Sequence, residues 1–292
     1  MIALAVLISV SIFLIKRQPP TKPILPQHKQ LTFAGDAKYP AISPDGNFIA
    51  FSRGIGSVSN IYIMPLEGGS PRQITNFNSL NLLAKWSPDG KEVAFGSNEG
   101  GTPQVWKVNV QGGSPFQFVK TKLSAWFDLA WSPGPNIIYR SQSNSNFNVL
   151  NPITKEESPL LKEELDRVVS SPRYSPDGKK VAYEQSGGLW VVSLESASTA
   201  LLKEGDYFPI KWSSDGKWIY VSEPAPAKIK IFMISVENSH VRILLSLPIV
   251  PGIGELRHYR FNMIPNGKHI VFEASRRFSD VWMVENFDPD VK

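Results

Sequence analysis

The chain has 292 residues, 42% hydrophobic and 20% charged, with a formal net charge of +5 and no cysteine. That apolar content is ample for a large core, and the missing cysteines exclude disulfides, thiolate metal sites and a cysteine nucleophile. Residues 1–29 hold Lys16, Arg17, Lys22 and Lys29 and no acid, so the positive charge belongs to the tail and the near-neutral remainder lacks the basic face that nucleic-acid binding wants.

Met1 to Ile15 is an apolar run without a charged side chain, followed by Lys16 and Arg17. As a helix it would be about 22 Å long, short of the ~30 Å hydrocarbon core. A cleaved signal peptide has its basic residues before the apolar run, the reverse of this order. Residues 1–17 are therefore expected to be the C-terminal part of a single-pass transmembrane helix, with an upstream portion of the natural chain missing. Residues 18–28, with Pro19, Pro20, Pro23 and Pro26, read as a linker.

From residue 29 to 292 one pattern recurs six times. Tight turns begin at Ser43, Ser87, Ser132, Ser175, Ser213 and Ile264, with steps of 44, 45, 43, 38 and 51. Such a period with strand-like content is the signature of a β-propeller. In Ser-Pro-Asp-Gly, proline pre-sets φ, aspartate tolerates the bridge region and glycine takes positive φ. Asp45, Asp89, Asp177 and Asp215 are thus expected to serve their own turns, spread around a ring, rather than one metal ion.

Each turn is preceded by Ile42, Trp86, Trp131, Tyr174, Trp212 or Met263 and followed by a continuous apolar run such as Phe48–Phe51 or Val93–Phe95. Such runs read as strands buried on both faces. A third strand and an outer edge follow in each repeat, except that the sixth runs out of chain after its third strand. Lys29–Phe33 has no blade of its own and is expected to complete the last one, closing the ring and removing an exposed edge. The fold expected is all-β: a six-bladed propeller of four-stranded blades, monomeric, closed by the N-terminal strand and preceded by a hydrophobic helix.

The aromatic-Ser-Pro-Asp-Gly core and the Gly-Gly-x-Pro-x-Gln segments at 68–73 and 112–117 resemble the TolB-like propellers. The resemblance covers residues 29–292. It implies a binding propeller, such as the periplasmic or extracellular part of a single-span bacterial protein whose other half is a kinase or winged-helix regulator. That other half is absent from this chain.

An enzyme is not expected. No Gly-x-Ser-x-Gly nucleophile elbow occurs. His28, His240, His258 and His269 form no His-x-x-x-His or His-x-Glu pair of the kind zinc sites use. His28 is assigned to the linker, and only His258 is placed near a propeller mouth. No metal, cofactor or catalytic residue is assigned. The alternative is a hydrolase or lyase acting at the channel mouth.

The candidate binding residues come from position. Two residues before each turn lie Ala41, Lys85, Ala130, Arg173, Lys211 and Asn262; four before it lie Tyr39, Asp128 and Arg260. Pseudo-symmetry brings equivalent positions together around the axis. Lys85, Arg173, Lys211, Arg260, Asp128, Tyr39 and His258 are the expected ligand-binding set, suited to a protein or peptide partner with an anionic group. Alternatively, these long side chains lie between blades with their heads at the surface.

Overall fold

The computed structural model describes residues 27–119, 125–141, 146–161, 169–223, 228–248, 256–264, 269–275 and 279–285. The expected membrane helix and most of the linker lie outside these residues. No helix among the described residues is long and apolar enough to cross a membrane.

Six antiparallel four-stranded sheets follow one another around the ring. The strand β1 (Gln27–Gln30) comes first. Blade 1 is β2 (Ala37–Ile42), β3 (Phe48–Ile55), β4 (Val58–Pro65) and β5 (Arg72–Gln73). Blade 2 is β6 (Asn81–Trp86), β7 (Glu92–Ser97), β8 (Gln104–Asn109) and β9 (Phe116–Val119). Blade 3 is β10 (Ala125–Trp131), β11 (Ile137–Ser141), β12 (Phe147–Leu150) and β13 (Glu157–Pro159). Blade 4 is β14 (Val169–Tyr174), β15 (Lys180–Gln185), β16 (Gly188–Ser193) and β17 (Thr199–Glu204). Blade 5 is β18 (Phe208–Trp212), β19 (Trp218–Glu223), β20 (Lys228–Ser235) and β21 (Val241–Pro248). Blade 6 is β22 (Leu256–Met263), β23 (His269–Ser275) and β24 (Ser279–Glu285), completed by β1.

The core divides by blade interface. Strand side chains alternate between faces, so neighbours in one apolar run serve different interfaces. Val93 and Phe95 pack toward blade 1 with Ile61 and Ile63, whereas Ala94 packs toward blade 3 with Ile137 and Tyr139. The four remaining interfaces are filled in the same way.

The turns follow the expected chemistry. In the first, the Ser43 hydroxyl donates to Asp45 at 2.5 Å, Asp45 accepts the Asn47 N–H at 3.0 Å, and Ser43 Oγ accepts the Phe48 N–H at 2.9 Å. The same triad recurs at Ser87, Ser175 and Ser213. Hydrogen bonding, led by the serine hydroxyl, holds all four carboxyls below their ordinary value. Gly46, at φ 77°, closes the turn in a conformation that side-chain-bearing residues rarely adopt. The third turn is shorter: the Ser132 N–H reaches the Asn136 carbonyl at 2.8 Å, four residues on rather than five.

Ring closure differs in detail from expectation. The closing strand is Gln27–Gln30 rather than residues 29–33, paired with β24 from Gln27↔Glu285 to Gln30↔Trp282. Leu31 continues the contact, its N–H donating to the Val281 carbonyl at 2.8 Å, and its side chain is buried at the interface of blades 6 and 1. Phe33 lies beyond the strand and is 78% exposed. His28, assigned to the linker on sequence, is a strand residue opposite Val284, and burial lowers its pKa.

Candidate functional site

In all six blades the innermost strand slips register against its neighbour, with the irregularity falling between Lys38 and Ala41, Leu82 and Lys85, Ala125 and Leu129, Ser170 and Arg173, Pro209 and Lys211, and Leu256 and Phe261. In three of these strands the residue four before the turn adopts positive φ: Tyr39 at 55°, Leu83 at 62° and Ser171 at 55°. A bulge kinks and twists a strand and re-aims the side chains that follow it. Lys85, Arg173 and Lys211 are the first residues to pair again after their bulges, with Ala94, Ala182 and Tyr220.

The six positions two before the turns come together. Ala41, Lys85, Ala130, Arg173, Lys211 and Asn262 all line one cavity of about 470 Å³ at the turn end of the channel. Its wall also carries Ile42, Leu129, Ile210 and Met263, and its rim Pro44, Pro88, Pro133 and Pro176. The two alanines, on blades 1 and 3, flank Lys85 on blade 2, and the three cations come from blades 2, 4 and 5.

A belt of indoles fixes this arrangement. Trp86 Nε1 donates to the Ala41 carbonyl at 2.9 Å, Trp131 Nε1 to the Lys85 carbonyl at 3.3 Å and Trp212 Nε1 to the Arg173 carbonyl at 2.9 Å. Each bond runs from one blade to the residue two before the turn of the preceding blade, so two of the three cations are pinned through their own backbones. Arg173 is further held by its side chain, with Nε donating to the Ile210 carbonyl at 2.7 Å and Nη1 to the Pro172 carbonyl at 2.8 Å. In the sixth blade Asn262 Oδ1 accepts the Ile42 N–H at 3.1 Å. Replacing Trp212 with Phe, which leaves the Arg173 carbonyl without that donor, should lower stability by about 2 kcal/mol; urea unfolding would measure it, and an unchanged midpoint would contradict a belt that bears load.

Asp128 lies two residues further from the mouth along its strand and accepts the Ser171 backbone N–H. Burial raises its pKa, opposed by the nearby charges of Arg140, Arg173 and Lys85. Lys85 is lowered to about 7, first by desolvation and then by repulsion from Arg173, against the attraction of Asp128. Lys211 is lowered to about 8 by desolvation. Both lysines are enclosed by protein yet retain some solvent contact through the cavity, and neither ammonium has a hydrogen-bond partner among the described residues.

Of the seven candidates, Lys85, Arg173 and Lys211 line the cavity, and Asp128 couples to two of them. Tyr39 is not part of the wall; its backbone N–H donates to Glu273 Oε2 at 3.1 Å. Arg260 and His258 occupy positions on β22, and their side chains lie outside the described residues. Sequence reasoning missed Arg140, which comes from a second strand, and the structural use of the tryptophans, although their recurrence one residue before the turn was visible. No group of three or more histidine, aspartate or glutamate side chains suited to a metal ion occurs among the described residues.

These features define a class: a six-bladed β-propeller, closed by its N-terminal strand, with a cation-lined cavity at one mouth. Residues 26–166 match the family model of PD40, the TolB beta propeller domain, and the six-bladed fold of the chain is TolB-like. A TolB-type structure from Agrobacterium tumefaciens superposes with a TM-score of 0.64 at 20% identity, covering 85% of this chain and 90% of that one. An oligogalacturonate lyase from Vibrio parahaemolyticus superposes at 0.60 with 11% identity, covering 90% of this chain and 97% of that one. Both likenesses are ones of fold. Dipeptidyl-peptidase 5 from Trichophyton equinum is 30% identical over 107 residues, which is 32% of this chain and 15% of that protein. The match therefore spans only a small part of the curated relative.

Proposed function

We propose that the protein is a membrane-tethered, non-catalytic propeller that binds a protein, peptide or small ligand through an anionic group at its channel mouth. In this reading residues 1–15 provide the tether, and the propeller, in the periplasm or outside the cell, is the sensory or interaction half of a bacterial envelope or signalling protein. The observation that carries it is the cavity, where Lys85, Arg173 and Lys211 converge and both ammonium groups lack a hydrogen-bond partner among the described residues. Half-buried ammonium groups without a hydrogen-bond acceptor are costly to fold around and are suited to a ligand that supplies the missing acceptors. The TolB-like fold supports the reading.

Calorimetric titration with hexaglutamate tests it. Binding is expected to weaken at least tenfold in a Lys85→Met, Lys211→Met double variant that keeps its fold by circular dichroism. Equal binding by the variant and the native protein would sink the mouth as the site. Cleavage of the peptide, abolished by the same substitutions, would favour the hydrolase alternative.

A further inference from the structure

We infer that the mouth receives a polypeptide C-terminus, inserted end-on, with its terminal carboxylate among Lys85, Arg173 and Lys211 and its last side chains against the apolar wall. The inference rests on the anion-binding reading above and specifies its ligand. Three observations point to an inserted end rather than an acidic side chain on a passing chain.

The first is depth. Lys85 and Arg173 stand three positions before the rim residues Pro88 and Pro176, and Lys211 three before Ser214, a backbone separation of at most roughly 10 Å at ~3.3 Å per residue. One extended strand of about three residues spans that distance. A glutamate side chain on a peptide lying across the rim does not, and a looped segment needs room for two strands in a cavity of about 470 Å³.

The second is layering. The rim carries Pro44, Pro88, Pro133 and Pro176, and the lining residues one position nearer the mouth than the level of the cations are Ile42, Trp86, Trp131, Tyr174, Trp212 and Met263, largely apolar. A ligand that fits is therefore apolar along its body and charged at its tip. A polyanion such as hexaglutamate can reach the cations but lays its other charges against the apolar wall, and a small dicarboxylate would leave that wall uncovered.

The third is the donor set. Arg173 uses Nε and one Nη1 hydrogen on backbone carbonyls, so its plane is held while the Nη2 group remains available. A planar carboxylate matches such a fork. Asn262 spends its Oδ1 on the Ile42 N–H, and its amide N–H groups make no hydrogen bond among the described residues.

Fluorescence anisotropy with the full chain decides the matter, using four probes. These are a labelled heptapeptide ending in leucine and phenylalanine with a free C-terminal acid, the same peptide amidated, an amidated version with glutamate third from the end, and octanoate as a competitor. The free acid is expected to bind at least thirtyfold more tightly than its amide, and Lys211→Met is expected to weaken the acid at least tenfold while leaving the amide unchanged. Equal binding of acid and amide overturns the inference, as does an internal glutamate that restores full affinity or octanoate that competes as strongly as the peptide. If the free acid fails while hexaglutamate binds, the C-terminal inference falls and the mouth remains an anion site. If no anionic probe binds, both fall.

Discussion

Deletion of residues 27–32 is expected to abolish cooperative folding of the ring. These residues supply the fourth strand of blade 6, and without them β24 presents an unpaired edge. The loss extends beyond the strand pairing. Leu31 is 5% exposed and packs among Ile42, Phe51, Val281 and Met283, a burial worth about 2 kcal/mol. Asp280 clasps the same segment, accepting from Gln30 Nε2 at 3.2 Å, Thr32 Oγ1 at 3.0 Å and the Gly35 N–H at 3.0 Å. Thr32 Oγ1 in turn accepts the Val281 N–H at 2.9 Å. Together these contacts are worth more than about 5 kcal/mol, the scale of a whole domain's stability.

A milder substitution isolates the clasp. Asp280→Ala leaves the three donors without their shared acceptor and should cost about 2–4 kcal/mol. Urea denaturation followed by tryptophan fluorescence measures both variants. A deletion that unfolds in one sharp transition near the native midpoint would show that the ring does not depend on its closure.

Replacing Lys211 with Met is expected to stabilise the propeller while weakening its hold on anions. The Lys211 ammonium is partly buried without a hydrogen-bond partner among the described residues, and desolvation brings its pKa from 10.5 to about 8. The unfolded chain therefore holds this proton more tightly than the folded one. The penalty is full below about pH 8 and is relieved as pH rises toward 10.5, so stability climbs across that window. Met fills similar space without a charge. Its advantage at neutral pH should be about 1–3 kcal/mol after allowance for solvent reaching the site through the mouth. That corresponds to a rise in Tm of roughly 2–9 °C.

Thermal unfolding at several pH values checks the sign. The gap between the variant and the native protein should narrow as pH rises from about 7 to about 10. A gap that widens, or a less stable variant at neutral pH, would mean that Lys211 has a stabilising partner. Lys85, lowered to about 7, shifts in the same direction, but its removal also leaves Asp128 to Arg140 and Arg173, so Lys211 is the cleaner test.

Much of the architecture was legible in the chain because its causes are local. Ser-Pro-Asp-Gly sets its own backbone, so the turns and the role of Asp45, Asp89, Asp177 and Asp215 follow from a few residues each. Continuous apolar runs such as Val93–Phe95 mark strands covered on both faces, and six such units leave few architectures open. A closing strand was legible too, because the sixth repeat lacked a partner, although the pairing fell on Gln27–Gln30. Register there depends on which residues meet across the ring, with Leu31 filling the interface and Asp280 catching Gln30, Thr32 and Gly35.

Tertiary structure alone decided the mouth. Position along the repeat indicated that Lys85, Arg173 and Lys211 shared a level, but not whether they faced the axis or lay between blades. The bulges settle their direction, and nothing in the sequence around Leu83 or Ser171 announces positive φ. The tryptophan belt and the arrival of Arg140 beside Asp128 depend on how closely adjacent blades approach, which is set by ring radius and blade twist. Local sequence therefore determined the blades and their turns. The distance between charges on different blades was decided only when the ring closed, because it is a property of the assembled circle and of no single repeat.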